Sequence, residues 1–124
     1  MTTVLVVDDN ADIREIFGML LGAMGYTAMA VPGGRECLEL LKTTKPDLII
    51  LDILMEPMDG WETLVEIKAR PDTKTIPVIM ITGKEIMERE RQKFGRYYAD
   101  YIMKPVRSQV LHERIERVLH PHPE

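Results

Sequence analysis

Polar residues able to handle phosphate stand at the ends of four apolar runs. Asp8 and Asp9 follow Val4-Leu5-Val6-Val7, and Asp52 closes Leu48-Ile49-Ile50-Leu51. Thr82 closes Val78-Ile79-Met80-Ile81, and Lys104 follows the run ending at Met103. Gathered carboxylates repel one another, and one would keep a proton unless a cation intervened. A hard divalent ion removes that conflict, and Mg2+ is typically held by one or two carboxylates plus waters. With an ammonium and a hydroxyl added, the set fits phosphoryl transfer, where positioning and charge neutralisation do most of the catalysis. One carboxylate could itself be the nucleophile and become an aspartyl phosphate. Taken singly, each residue also fits a turn or loop role.

The runs that carry these residues read as strands, the one closed by Asp52 buried on both faces. Helical patterns alternate with them. Ile13, Ile16, Phe17, Leu20, Leu21 and Met24 mark one face of a first helix, capped by Asp9 or Asn10 and ended by Gly25. Tyr26 to Val31 is a weaker second strand. Pro32-Gly33-Gly34 opens a second helix with Cys37, Leu38 and Leu41 inward. After Asp52 a loop, Ile53 to Met58, leads through Asp59-Gly60 into a third helix with Trp61, Leu64 and Val65, stopped by Arg70-Pro71-Asp72. The fourth strand is Pro77 to Thr82. The fourth helix, about Lys84 to Phe94, has the poorest apolar face and should be locally less stable. Tyr98 to Met103 is the fifth strand. The last helix starts near Arg107, carries Leu111, Ile115, Val118 and Leu119 inward, and ends at Pro121. This alternation predicts one α/β domain over residues 1–119, a doubly wound parallel sheet, with 120–124 as a frayed tail. The carboxyl ends of parallel strands share one rim, where ligands bind in such sheets. Periodicity leaves the strand order open.

Composition narrows the classes. The chain has 124 residues, 45% hydrophobic and 29% charged, and fits one ordinary globular domain. A net charge of -4 gives no sign of nucleic-acid binding. The lone Cys37 excludes an internal disulfide and fits a reducing, cytoplasmic compartment. Met1-Thr2-Thr3 leads straight into an apolar run, so neither a signal peptide nor a membrane span is expected. His112, His120 and His122 are expected at the surface, without a metal role.

The chain resembles the receiver domain of two-component response regulators, of the single-domain, chemotaxis-regulator-like kind. The residues that carry the resemblance are Val6-Val7-Asp8-Asp9-Asn10, Leu51-Asp52, Met58-Asp59-Gly60, Ile81-Thr82 and Asp100-Tyr101-Ile102-Met103-Lys104-Pro105. It implies a flavodoxin-like fold with strand order 2-1-3-4-5 and five helices. It implies that Asp52 accepts phosphate from a histidine kinase or phosphotransfer protein, with the domain assisting its own phosphorylation rather than acting as an enzyme on a separate substrate. Asp8, Asp9, Asp52 and the backbone carbonyl of Leu54 would contact Mg2+. Lys104 would pair with Asp52, then with the phosphoryl group. Thr82 and Tyr101 would switch the helix 4/strand 5/helix 5 surface toward a downstream protein, and Pro105 would follow Lys104 through a cis bond. A stand-alone receiver or a fragment of a longer chain both fit.

Departures from the family pattern carry their own expectations. Glu56 stands where proline is usual, with Pro57 one later, which adds negative charge beside the site. Leu54 and Lys84 occupy positions that tune phosphate lifetime; Leu54 offers no polar handle, and Lys84 could reach the phosphoryl group. Tyr97-Tyr98 replace a small pair, as core packing or as a face for a partner or a homodimer. Two other readings remain: a haloacid-dehalogenase-like phosphatase, whose motif needs Asp two residues after its nucleophile, and a receiver-like binding module that takes no phosphate. Asn10 and Ala11 deny the first that spacing at Asp8 and Asp9.

Overall fold

Unbroken apolar runs become the middle of a sheet in the computed structural model, which describes residues 1–121. The described residues alternate as β1 (Thr3–Val7), α1 (Ala11–Ala23), β2 (Thr27–Val31), α2 (Gly34–Leu40), β3 (Leu48–Asp52), α3 (Gly60–Ala69), β4 (Val78–Thr82), α4 (Glu88–Phe94), β5 (Asp100–Met103) and α5 (Ser108–Leu119). All pairings are parallel, and the strand order is β2-β1-β3-β4-β5, a flavodoxin-like sheet. His122 and the rest of the expected tail beyond Pro121 lie outside the described residues. No helix among the described residues is long and apolar enough to cross a membrane.

Strand side chains alternate between faces, and this chain fills both. Leu5, Val7, Ile49, Leu51, Val78 and Met80 pack with Cys37 of α2 and Leu64 and Ile67 of α3. Val4, Val6, Leu48, Ile50, Ile79 and Ile81 pack with Phe17 and Leu21 of α1 and Leu111 and Ile115 of α5. Burying one such side chain contributes roughly 1.5–3 kcal/mol, so the three central strands are the anchor of the fold. Cys37 belongs to this core, and burial pushes its thiol up to about 12. A thiol reagent is therefore expected to label the unfolded chain in full and the native chain only as fast as it opens. Rapid labelling of the native chain would contradict that burial.

Helix ends follow their caps. Asn10, rather than Asp9, caps α1: its Oδ1 accepts from the N–H groups of Asp12 (2.9 Å) and Ile13 (3.1 Å). Gly25 follows the helix at φ 94°, a conformation that favours glycine. Asp59 and Glu62 close a reciprocal box at the start of α3.

Two expectations need correction. Ile16 was counted on the apolar face of the first helix and Val65 among the apolar residues of the third, yet both are exposed; each lies at the rim of its apolar stripe, where the helix has turned away from the sheet. The fourth helix begins at Glu88 rather than Lys84. The Thr82 hydroxyl binds both backbone groups of Lys84 and holds that stretch as a loop, while the Glu90 carboxylate accepts the Met87 N–H at 2.9 Å and fixes the first turn. The short helix buries none of its own residues. Ile86, just ahead of it, is buried instead.

Candidate functional site

Register brings the first carboxylates together. Val7 of β1 pairs with Leu51 of β3, so Asp8 and Asp52 leave the sheet side by side. Carboxylate oxygens of Asp8, Asp9 and Asp52 lie within 4.8 Å of one another. Asp8 and Asp52 are buried, at 2% and 5% exposure, whereas Asp9 faces solvent. Asp8 is held from two sides: its Oδ1 accepts the Asn10 N–H at 2.9 Å, and its carbonyl accepts from Arg14 Nη1 at 2.8 Å. Arg14 was not foreseen as a neighbour of the site. Its place one turn into α1, on the side of the rim, was the available signal.

Lys104 comes from beyond the other end of the sheet. Its N–H donates to the Thr82 carbonyl at 2.7 Å, which fixes it against β4. Its Nζ lies 3.6 Å from Asp8 Oδ2 and 3.6 Å from Asp52 Oδ1. The Lys104-Pro105 bond is cis, as the resemblance implied, and so is Glu56-Pro57, which was not foreseen. One ammonium does not offset the crowding at Asp52. Burial above all, then the Asp8 carboxylate, push its pKa up to about 6; Lys104 and a backbone hydrogen bond from Leu54 pull it down, and Asp9 adds a smaller push upward. A hard oxygen donor set with surplus negative charge fits a divalent cation such as Mg2+.

The other predicted residues sit around this centre. Asp52 pairs with Ile81, so Thr82 stands one residue farther along the neighbouring strand. Its hydroxyl donates to the Lys84 carbonyl at 2.7 Å and accepts the Lys84 N–H at 3.1 Å. It does not cap α4. The side chains of Leu54 and Lys84 are exposed. Glu56 and Asp9 line one cleft of about 410 Å3 together with Arg35, which puts the extra charge beside the cluster. Gly60 brings α3 against the phosphoacceptor candidate itself: a Cβ there would lie 2.3 Å from the Asp52 carbonyl oxygen.

Aromatic residues link the rim to α4. Tyr101 is half-buried, meets Tyr98 edge-on at 6.2 Å, and lies under the Arg91 guanidinium. Tyr98 contacts Trp61, which stacks on Phe94 at 4.5 Å and donates from Nε1 to Glu90 at 3.0 Å. Tyr97 and Tyr98 are thus partly packed against the core rather than free on the surface. His112 is exposed but rests edge-on against Tyr26, whose hydroxyl donates to Glu116. Burial and Glu116 raise the Tyr26 phenol above its ordinary pKa.

Comparison with known proteins places this geometry. The family model described as the response regulator receiver domain matches residues 4–116. The N-terminal domain of a response regulator receiver protein from Methanoculleus marisnigri JR1 is 48% identical, with a TM-score of 0.81 and coverage of 98% of this chain and 99% of that one. The signal receiver domain of a histidine kinase from Syntrophus aciditrophicus is 34% identical, with a TM-score of 0.87 and coverage of 100% and 96%. Among curated relatives, a probable cyclic di-GMP phosphodiesterase from Vibrio cholerae is 39% identical over 113 residues, 91% of this chain and 25% of that protein. The chain spans between 25% and 47% of the length of the first curated relatives it matches.

Proposed function

Because the chain belongs to the response regulator receiver domain family, a signalling module of two-component systems, we propose that Asp52 is its phosphoacceptor. One observation carries the reading: carboxylates of Asp8, Asp9 and Asp52 converge within 4.8 Å, and Lys104 stands 3.6 Å from two of them. An Asp52 oxygen attacks the phosphorus of a phosphohistidine on a kinase or phosphotransfer protein; the P–N bond breaks and the imidazole leaves. Asp8, Asp9, Asp52 and the Leu54 carbonyl would hold Mg2+, which neutralises charge on the transferring group. Asp8 and Asp9 thereby assist the chain's own phosphorylation. Lys104 trades its pairing with Asp52 for one with the phosphoryl oxygens. The Thr82 hydroxyl releases Lys84 and donates to the same group, and Tyr101 turns inward. The rearranged α4/β5/α5 face then favours a downstream partner.

The test is intact mass after incubation with acetyl phosphate. One phosphoryl group is expected with Mg2+ and none in chelator. Uptake independent of the cation would count against the reading, and no uptake at all would favour the binding-module alternative. Lys84 allows a finer prediction. Once Thr82 lets go of its backbone, its exposed ammonium can reach a phosphoryl oxygen. Lys84→Ala is expected to shorten the acyl-phosphate lifetime several-fold, about 1 kcal/mol of charge pairing. Equal decay in both proteins would discard that role.

A further inference from the structure

β5 is last in the strand order, so one of its edges has no neighbouring strand among the described residues. Such an edge carries unpaired backbone groups and is a template for another chain. The Lys104 N–H turns toward β4, and backbone groups alternate along a strand, so those of Tyr101 and Met103 face the open side. At Tyr101 the chain covers its own edge. Its N–H donates to Asp100 Oδ1 at 2.8 Å, and its carbonyl accepts from Arg114 Nη1 at 3.2 Å. Arg114 also binds both Asp100 oxygens, at 3.0 and 3.1 Å. The Met103 side chain is 41% exposed.

The charge along this edge runs against that of the molecule. A groove of about 640 Å3 between β5 and α5 is lined by Arg107, Arg114 and Arg117, with Asp100 as the only carboxylate among its lining residues. Arg91 adds a further guanidinium, 5.8 Å from the centre of the Tyr101 ring. The whole chain carries -4. Arginine forks bind carboxylates in pairs of hydrogen bonds, which makes the groove complementary to acidic side chains.

We propose that the open edge of β5 takes an extended acidic segment of a partner protein, and that the Asp100–Arg114 pair is the latch it displaces. The segment's backbone replaces Asp100 and Arg114 at Tyr101, and its carboxylates pair with Arg107, Arg114 and Arg117. Asp100 is the internal competitor for Arg114. The proposal rests on the receiver reading only in taking this face as the output side.

Amide NMR titrations test it, using an acetylated octapeptide of alternating Glu and Val against a matching Lys–Val octapeptide. Each is run in chelator and again with Mg2+ and beryllium fluoride, a phosphoryl mimic. The acidic peptide is expected to shift the Tyr101 and Met103 amides, and the basic one is not. Asp100→Asn should tighten binding, and Arg107→Glu with Arg117→Glu should weaken it about tenfold or more. Spectral dispersion confirms that each variant is folded. Equal shifts with both peptides, no shift at β5, or concentration-dependent shifts without peptide, the mark of a second copy on the edge, would overturn the proposal. Phosphate uptake at Asp52 with a silent edge would leave the receiver reading intact and this one refuted.

Discussion

Asp52→Asn is expected to end phosphate uptake and, in chelator at neutral pH, to make the chain more stable. The second effect follows from the crowding at the rim. The natural carboxyl titrates near 6 in the folded chain against an ordinary 3.8. Between those values the folded state binds the proton that the unfolded state has lost, so stability falls as pH rises from about 4 to about 6 and then levels off. A shift of about two units corresponds to about 3 kcal/mol at most. Relaxation and water access at the cluster's open side reduce this to roughly 1–2 kcal/mol. Asparagine carries no charge, so the variant gains that amount above pH 6 and nothing below pH 4. Mg2+ should narrow the difference, because it stabilises the natural cluster more than the variant. Urea unfolding across this pH range, with and without Mg2+, checks both signs. A variant less stable than the natural chain at neutral pH in chelator would show that Lys104 outweighs the repulsion.

Gly60→Ala is expected to cost about 3 kcal/mol, a large loss for one added methyl at a helix start, and to slow phosphate uptake with it. The added Cβ would lie 2.3 Å from the Asp52 carbonyl oxygen and 2.6 Å from the Ile53 Cα. Both belong to the backbone, so no flexible side-chain tip can yield. The Gly60 N–H donates to the Ile53 carbonyl at 2.9 Å, which pins the close approach. The end of β3 that carries Asp52 must therefore move, and a displacement of about 1 Å in a reacting group can cost a hundredfold in rate. Gly18→Ala supplies the contrast. Nothing lies within 4 Å of a Cβ there, inside α1. That change should stabilise by roughly 0.5–1 kcal/mol. Denaturant midpoints of both variants against the natural chain decide the matter; a loss under about 1 kcal/mol for Gly60→Ala would mean that the junction of β3 and α3 yields more easily than its packing implies.

The rim was legible because its signals are local and unambiguous. Three apolar runs without a polar interruption had to be buried strands, and the residues closing them had to emerge together at one edge of a parallel sheet. The strand order was not legible from periodicity, since an apolar run does not say which other run lies beside it. It came from family resemblance, and the pairing of Val7 with Leu51 then set Asp8 beside Asp52. The start of α4 was missed because hydrogen bonds of Thr82 and Glu90 oppose the helical pattern from Lys84 onward. Ile16 and Val65 were misplaced because a stripe drawn on a helix does not say how wide the facing sheet is. Other features depend on contacts between distant residues. The hold of Glu90 on Trp61 and that of Arg114 on Asp100 have no spacing rule that would reveal them.

The central claim is that the buried carboxylate at position 52, and neither of its acidic neighbours, takes the phosphoryl group. Borohydride reduces an acyl phosphate to an alcohol, which converts the labelled aspartate to homoserine. Treating the chain with acetyl phosphate and Mg2+, reducing it, and sequencing the peptides by mass spectrometry reads the position directly. Homoserine at 52 alone is the predicted result. Homoserine at Asp8 or Asp9, or at 52 to the same extent in chelator, would contradict the account.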